Sequence, residues 1–207
     1  MRGQMSRNLQ VVSDEIHFDL IMPGYHHTVF ASISEEFADN CLVCTAPSKT
    51  FNLAGLQTSN IFIPNPRLRE QYQNALKHSN PNPKCNILGY RACEAAYKHC
   101  GQWLDQVIEL IDHNRRIVEE FFAKEFPQVH VKRLEATYLL WMDWSGLGLN
   151  SRELERINHE EARLFFDEGY VFGNQGDCFE RWNLACPTRY IEDALKRMKA
   201  AYKKYVK

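Results

Sequence analysis

From about Leu9 to Cys100 the chain alternates short apolar runs, each ended by turn residues, with stretches of helical periodicity. That alternation limits the fold more than any other feature. Val11–Asp14 (VVSD), Asn40–Thr45 (NCLVCT) and Thr58–Ile63 (TSNIFI) have the length and bounded character of buried strands. Arg67–His78 and Ile87–Cys100 have helical spacing, with the NPNP break at Asn80–Pro83 between them. Strands alternating with helices predict an α/β unit built on part of a doubly wound, mostly parallel sheet. Gln102–Phe126 is the longest periodic segment, with Leu104, Ile108, Ile111, Val118 and Phe122 at helical spacings and Pro127 as its stop.

The remainder predicts a smaller α+β unit. It consists of a strand over Ala136–Trp144, a turn over Ser145–Asn150, a helix over Ser151–Glu168 capped by Ser151, and strands over Tyr170–Gly176 and Cys178–Ala185. A final helix runs from about Tyr190, with Ile191, Leu195, Met198 and Tyr202 on one side and lysines on the other. A boundary near Gly101 divides the chain into residues 1–100 and 101–207.

Lys49 is the residue whose surroundings look arranged. The Asn40–Thr45 run ends at Pro47, Ser48 is placed to cap the next element, and Ala46, Ala54 and Gly55 leave room for a flat ligand near the backbone. Open α/β sheets hold ligands at the C-terminal ends of their strands, and an amine stripped of solvent there attacks carbonyls. The other reading is a solvated loop lysine. A second run, Val11–Leu20 (VVSDEIHFDL), sets Asp14 at a strand end and His17 three positions on. A carboxylate beside a lysine reads either as an ion pair or cap, or as the pyridinium partner and covalent anchor of pyridoxal phosphate. A third stretch, Phe179–Pro187 (FERWNLACP), adds Arg181, whose fork suits a carboxylate.

Taken together, SDEIH.DL, APSKTFNLAGL and RWNLACP resemble the fold-type I pyridoxal phosphate enzymes, and within them the MalY/PatB group of cystathionine β-lyase-like aminotransferases. The resemblance runs from about Leu9 to near the C-terminus and covers the C-terminal half of such proteins. It implies a partial large domain, with a mostly parallel sheet and helices, followed by a small α+β domain. It also implies a cofactor, pyridoxal 5'-phosphate, with Lys49 as its covalent anchor and catalytic base. Asp14 is then the partner of the ring nitrogen, His17 a neighbour of the ring hydroxyl, and Ser48 a helper at the phosphate. Arg181 grips the α-carboxylate of an amino-acid substrate, with Asn183 and Tyr138 lining the same cleft. The activity implied is C–S β-elimination giving pyruvate, ammonia and a thiol. Transamination, and a truncated chain that catalyses nothing, stay open beside it. The phosphate loop, the ring-stacking aromatic and an asparagine at the ring hydroxyl belong, in the family, to the half that precedes Met1–Asn8, and the complete protein is expected to be a homodimer.

Composition sets the outer bounds. With 44% hydrophobic and 25% charged residues the chain can bury a core without a membrane-length apolar run. A net charge of −1 argues against nucleic-acid binding. Seven cysteines, with Met1–Asn8 too polar for a signal peptide, suggest reduced thiols in the cytoplasm. Cys41 and Cys44 form a lone CxxC whose side chains face opposite sides of a strand, so no metal is expected.

Overall fold

A computed structural model describes residues 10–79 and 86–205; the readings of Met1–Asn8 and of the NPNP break lie outside the described residues. The chain divides into two compact units, Met1–Ile21 with Tyr25–Leu104, and Met22–Gly24 with Asp105–Lys207.

The first unit is built on a three-stranded sheet in the order β1 (Val11–Asp14), β2 (Cys41–Thr45), β3 (Asn60–Phe62). β1 and β2 run parallel, Val11 opposite Cys41 and Asp14 opposite Cys44. Helix α1 (Glu35–Asp39) lies in their crossover, its N-terminus capped by the Ser34 hydroxyl. β3 is antiparallel to β2, so this portion of the sheet is mixed rather than mostly parallel. The physical reason is the link between them. It holds only the one-turn α2 (Pro47–Thr50) and a 3-10 turn at Ala54–Leu56, with no helix long enough to return the chain to the sheet's other end. Burial alternates along β2, with Cys41, Val43 and Thr45 buried on one face. Helices α3 (Pro66–Ser79) and α4 (Ile87–His99) follow, and Asn86 caps α4 through the Gly89 amide. At Gly89 a Cβ would collide with Thr58 and the Leu56 carbonyl, so this close helix-to-turn approach requires glycine.

The second unit takes most of the long helix α5 (Gly101–Glu125). Ile111, Val118 and Phe122 are buried at spacings of seven and four, each stabilising the fold by roughly 1.5–3 kcal/mol relative to exposure. A four-stranded antiparallel sheet has the order β4 (His130–Val131), β5 (Leu139–Asp143), β7 (Phe179–Asn183), β6 (Asp167–Glu168). Leu140 and Met142 of β5 point inward, opposite Trp182 and Glu180 of β7. Helix α7 (Thr188–Tyr202) buries Ile191, Leu195, Met198 and Tyr202. Trp144 stands at the centre, 5.4 Å from the Phe122 ring and 5.0 Å from that of Tyr202.

Three expectations need correction. The helix over Ser151–Glu168 is helix α6 (Ser151–Arg156) followed by a wider π turn (Ile157–Ala162), and Arg163 in the left-handed region ends it. The chain then extends into β6. The cap is Asn150, in a capping box with Glu153, and not Ser151. Tyr170–Gly176 is not a strand but two 3-10 turns, where Gly169 and Gly176 meet backbone to backbone with no room for a Cβ on either.

Beneath β7, Glu180 is buried and accepts the Asn158 amide at 3.2 Å; Asn158 in turn accepts the Tyr202 hydroxyl at 2.8 Å. Burial first, then the charge of Glu168, pushes the Glu180 carboxyl up to about 8, against the pull of the Asn158 hydrogen bond.

Candidate active site

In the first unit the sheet brings the acid and the amine segments together. Because β1 and β2 are parallel and in register, Asp14 ends its strand beside Cys44, one residue before β2 ends at Thr45. The Glu15 amide bonds the Cys44 carbonyl at 2.8 Å, holding the two strand ends together. Pro47 is the first residue of α2, where its missing N–H costs nothing. Lys49 therefore follows β2 within one helical turn and is exposed. The expectation that Lys49 is stripped of solvent is not met by the described residues. Ser48 does not cap α2 either; the cap position is Ala46, without a side-chain bond, and the Ser48 carbonyl instead accepts the Leu53 amide at 3.0 Å.

Asp14 is exposed, with Oδ1 accepting the Ile16 amide at 3.2 Å, an Asx-type turn that sets the carboxylate at the strand end. His17 is half-buried in the turn after β1, its carbonyl accepting the Leu20 amide at 3.0 Å.

Two carboxylates of the same stretch have roles that sequence reasoning missed. Glu15 is 6% exposed, and its Oε1 accepts the Ser13 hydroxyl at 3.0 Å and the Phe30 amide at 2.9 Å. Its Oε2 lies 2.7 Å from His27 Nε2. Burial raises this carboxyl, but the hydrogen bonds from His27, Phe30 and Ser13 outweigh it and hold the group below its ordinary range. Asp19 Oδ2 accepts the buried Thr50 hydroxyl at 2.9 Å and the Tyr97 hydroxyl at 3.2 Å. Thr50 is the neighbour of Lys49, so Asp19 ties the segment bearing Asp14 and His17 to the turn bearing the amine. Its place in the SDEIHFDL run was the available signal; its partners lie too far along the chain to be read from it.

A cavity of this unit, about 710 Å³, is apolar and lies against Val43, Thr45 and Phe62, with Tyr97 and Cys93 from α4. It is on the sheet face opposite Asp14 and is lined by neither Asp14 nor Lys49, so it is not the place where amine and acid meet.

Arg181, Asn183 and Tyr138 belong to the second unit. Arg181 is paired: its Nε and Nη2 lie 3.0 and 2.8 Å from Asp167 Oδ2, and its guanidinium sits 4.4 Å from the centre of the Phe172 ring. Asn183 is exposed and accepts the Ala185 amide through Oδ1 at 2.9 Å. Tyr138 is half-buried; burial pushes its phenol up, against the nearby charge of Arg181. Its carbonyl accepts the Leu184 amide at 2.8 Å, across the β5–β7 pair.

A family model described as aminotransferase class I and II matches residues 3–197. The chain belongs to that family. It is 40% identical over 197 residues to cystathionine beta-lyase PatB of Bacillus subtilis, a match covering 95% of this chain and 51% of PatB. It is 32% identical over 191 residues to the cystathionine beta-lyase of Corynebacterium glutamicum, covering 91% of this chain and 50% of that protein. The crystal structure of cystalysin from Treponema denticola, which contains a pyridoxal 5'-phosphate cofactor, superposes with a TM-score of 0.91 at 48% identity, over 95% of this chain and 50% of that one. The chain thus spans about half the length of the relatives it matches.

The residues present fit the amine-linked and ring-nitrogen ends of pyridoxal phosphate. An exposed primary amine and an exposed carboxylate stand at the C-terminal ends of neighbouring parallel strands. Toward a phosphate the same turn offers the half-buried Ser48. Among the described residues no helix is long and apolar enough to cross a membrane.

Proposed function

We propose that this chain supplies the amine and acid of a pyridoxal phosphate site that cleaves the carbon–sulfur bond of amino acids bearing sulfur on the β-carbon, releasing pyruvate, ammonia and a thiol. The observation that carries this reading is the placement of Asp14 and the Lys49 turn at the ends of adjacent parallel strands, in a chain 40% identical to a cystathionine beta-lyase. In this reading residues 1–100 are the C-terminal part of the cofactor-binding large domain, and 101–207 are the interdomain helix and small C-terminal domain. The complete protein is a cytoplasmic homodimer.

When bound, the cofactor's protonated ring takes up the electron pair left on the substrate's α-carbon as the proton leaves. Lys49 Nζ would hold the cofactor through its amine and would serve as the general base toward the substrate's α-proton. Asp14 keeps the ring nitrogen protonated by pairing with its N–H. Asp19, through Thr50, fixes the turn from which Lys49 projects. His17 would neighbour the ring hydroxyl, and Ser48 would donate to the phosphate. Arg181 binds the α-carboxylate as a fork, exchanging Asp167 for the substrate, while Tyr138 and Asn183 line the same cleft. Orienting the substrate in this way selects which of its bonds stands perpendicular to the ring.

The test is to add pyridoxal phosphate to the purified chain, trap any adduct with borohydride and locate it by peptide mass, in wild type and Lys49→Ala. An adduct on Lys49 is expected, absent from the variant; equal labelling elsewhere in both proteins would overturn the assignment. Pyruvate release from L-cystathionine then separates a lyase from a chain that binds and does not turn over. Keto-acid formation from an amino donor without thiol release would identify an aminotransferase.

A further inference from the structure

We propose that Glu155, His159 and Glu168 form a binding site for one divalent first-row transition ion in the second unit, with the buried carboxyl of Glu180 facing it from β7. The sequence does not announce it, because the four side chains come from α6, the π turn, β6 and β7.

One donor atom from each of Glu155, His159 and Glu168 lies within 4.8 Å of the others, and His159 Nε2 stands 2.9 Å from Glu168 Oε1. Two donors at right angles, each about 2.1 Å from a metal ion, stand about 3.0 Å apart, so that pair needs almost no movement to hold an ion. Donors on opposite sides of the ion stand about 4.2 Å apart, and the widest separation in the group closes to that with a shift of about half an ångström.

The independent observation is Glu180. It is 1% exposed, and while Oε1 accepts the Asn158 amide, Oε2 is buried without a hydrogen-bond partner. Glu180 sits directly opposite Glu168 in the antiparallel β6–β7 pair. Directly opposed residues project from the same face, with their Cβ atoms about 5 Å apart. The residue holding Oε1, Asn158, is the chain neighbour of His159. The unpartnered oxygen therefore belongs to the same side of the strand pair as the imidazole and the Glu168 carboxyl. Arg152 and the Tyr170 hydroxyl both engage Glu155 Oε2, each at 3.1 Å, which leaves Oε1 as the donor for an ion.

Carboxyls facing one another across a strand pair repel, and a buried oxygen with no partner is costly. A cation answers both. Two carboxylates and one imidazole, with the Glu180 carboxyl beside them, suit manganese, iron(II), cobalt or zinc, and not the soft ions that thiolates select. An ion held there would pin the π turn and β6 to β7, in the strand pair where Asp167 meets Arg181. This inference does not depend on the cofactor chemistry above.

The experiment uses the whole chain, stripped with EDTA and titrated with Mn²⁺ while free ion is counted by electron paramagnetic resonance. Mn²⁺ is the probe because the free cysteines compete for softer metals. One ion per chain is expected, with a dissociation constant below about 0.1 mM. His159→Ala, Glu168→Gln and the isosteric Glu180→Gln should each weaken binding more than about tenfold, and His130→Ala should leave it unchanged. Circular dichroism before titration identifies any variant that has not folded, and the remaining variants decide. No stoichiometric binding by the wild type, or binding that survives all folded ligand variants, overturns the proposal.

Discussion

Glu15→Gln is the most informative single change to the first unit. In the wild type the buried carboxylate takes two donors on Oε1, the Ser13 hydroxyl and the Phe30 amide, and contacts His27 through Oε2. Glutamine keeps an oxygen for Ser13 and Phe30 but loses the charge and turns an NH₂ toward His27. Hydrogen bonds to a charged group contribute about 1.5–3 kcal/mol each, and neutral ones about 1 kcal/mol. Weakening two bonds by about 0.5–2 kcal/mol each and losing the third should therefore cost about 2.5–7 kcal/mol at neutral pH. Glu15→Ala, which abandons all three donors, should cost more. The sign of the pH dependence is set by a folded carboxyl held below its ordinary value of 4.5. The stabilisation is complete above that value and is lost as pH falls through the lower folded value. Urea unfolding monitored by fluorescence, in which Trp103 reports on the first unit beside Phe51, gives both numbers. The gap between wild type and Glu15→Gln should be widest near pH 7 and shrink below pH 4.5. A gap that is constant from pH 7 to pH 3, or a loss under about 0.5 kcal/mol at pH 7, would refute the reasoning.

Two further outcomes are expected in the second unit. Asn114 is fully buried, donates to the Leu184 and Cys186 carbonyls at 2.9 and 2.8 Å, and accepts the Thr188 hydroxyl at 2.8 Å. Asn114→Ala should cost about 2–4 kcal/mol in denaturant unfolding, because it removes three hydrogen bonds worth about 1 kcal/mol each together with the packing of a buried side chain; a loss under 1 kcal/mol would contradict this. Arg181→Ala removes a partly exposed ion pair and a stacking contact, so it should cost only about 1–2 kcal/mol. If Arg181 serves the substrate, the same variant in catalytically competent protein raises KM far more than that loss of stability explains.

The strands of the first unit and both long helices were legible because apolar spacing is a local property. Val11–Asp14 and Cys41–Thr45 appear where their runs predict, and α5 and α7 follow their stripes. What escaped depends on partners far along the chain. The break after Ala162 comes from Arg163 adopting a left-handed backbone, which no periodicity announces. The antiparallel return of β3 depends on the compactness of the preceding link. At the site, Asp14 and Lys49 each read as residues at the end of a strand, and the parallel pairing of β1 with β2 sets those two strand ends side by side. The Asp167 partner of Arg181 and the work of Glu15 and Asp19 could not be read, since each is fixed by folding segments together.

Among the described residues, β1 has a hydrogen-bonding partner on one side only, and Val12 stands 66% bare at its middle. Such a rim is adhesive: any extended peptide can zip onto it through main-chain bonds, a second molecule of the same kind included. Shielding such a rim takes a further strand or a covering element on its open side.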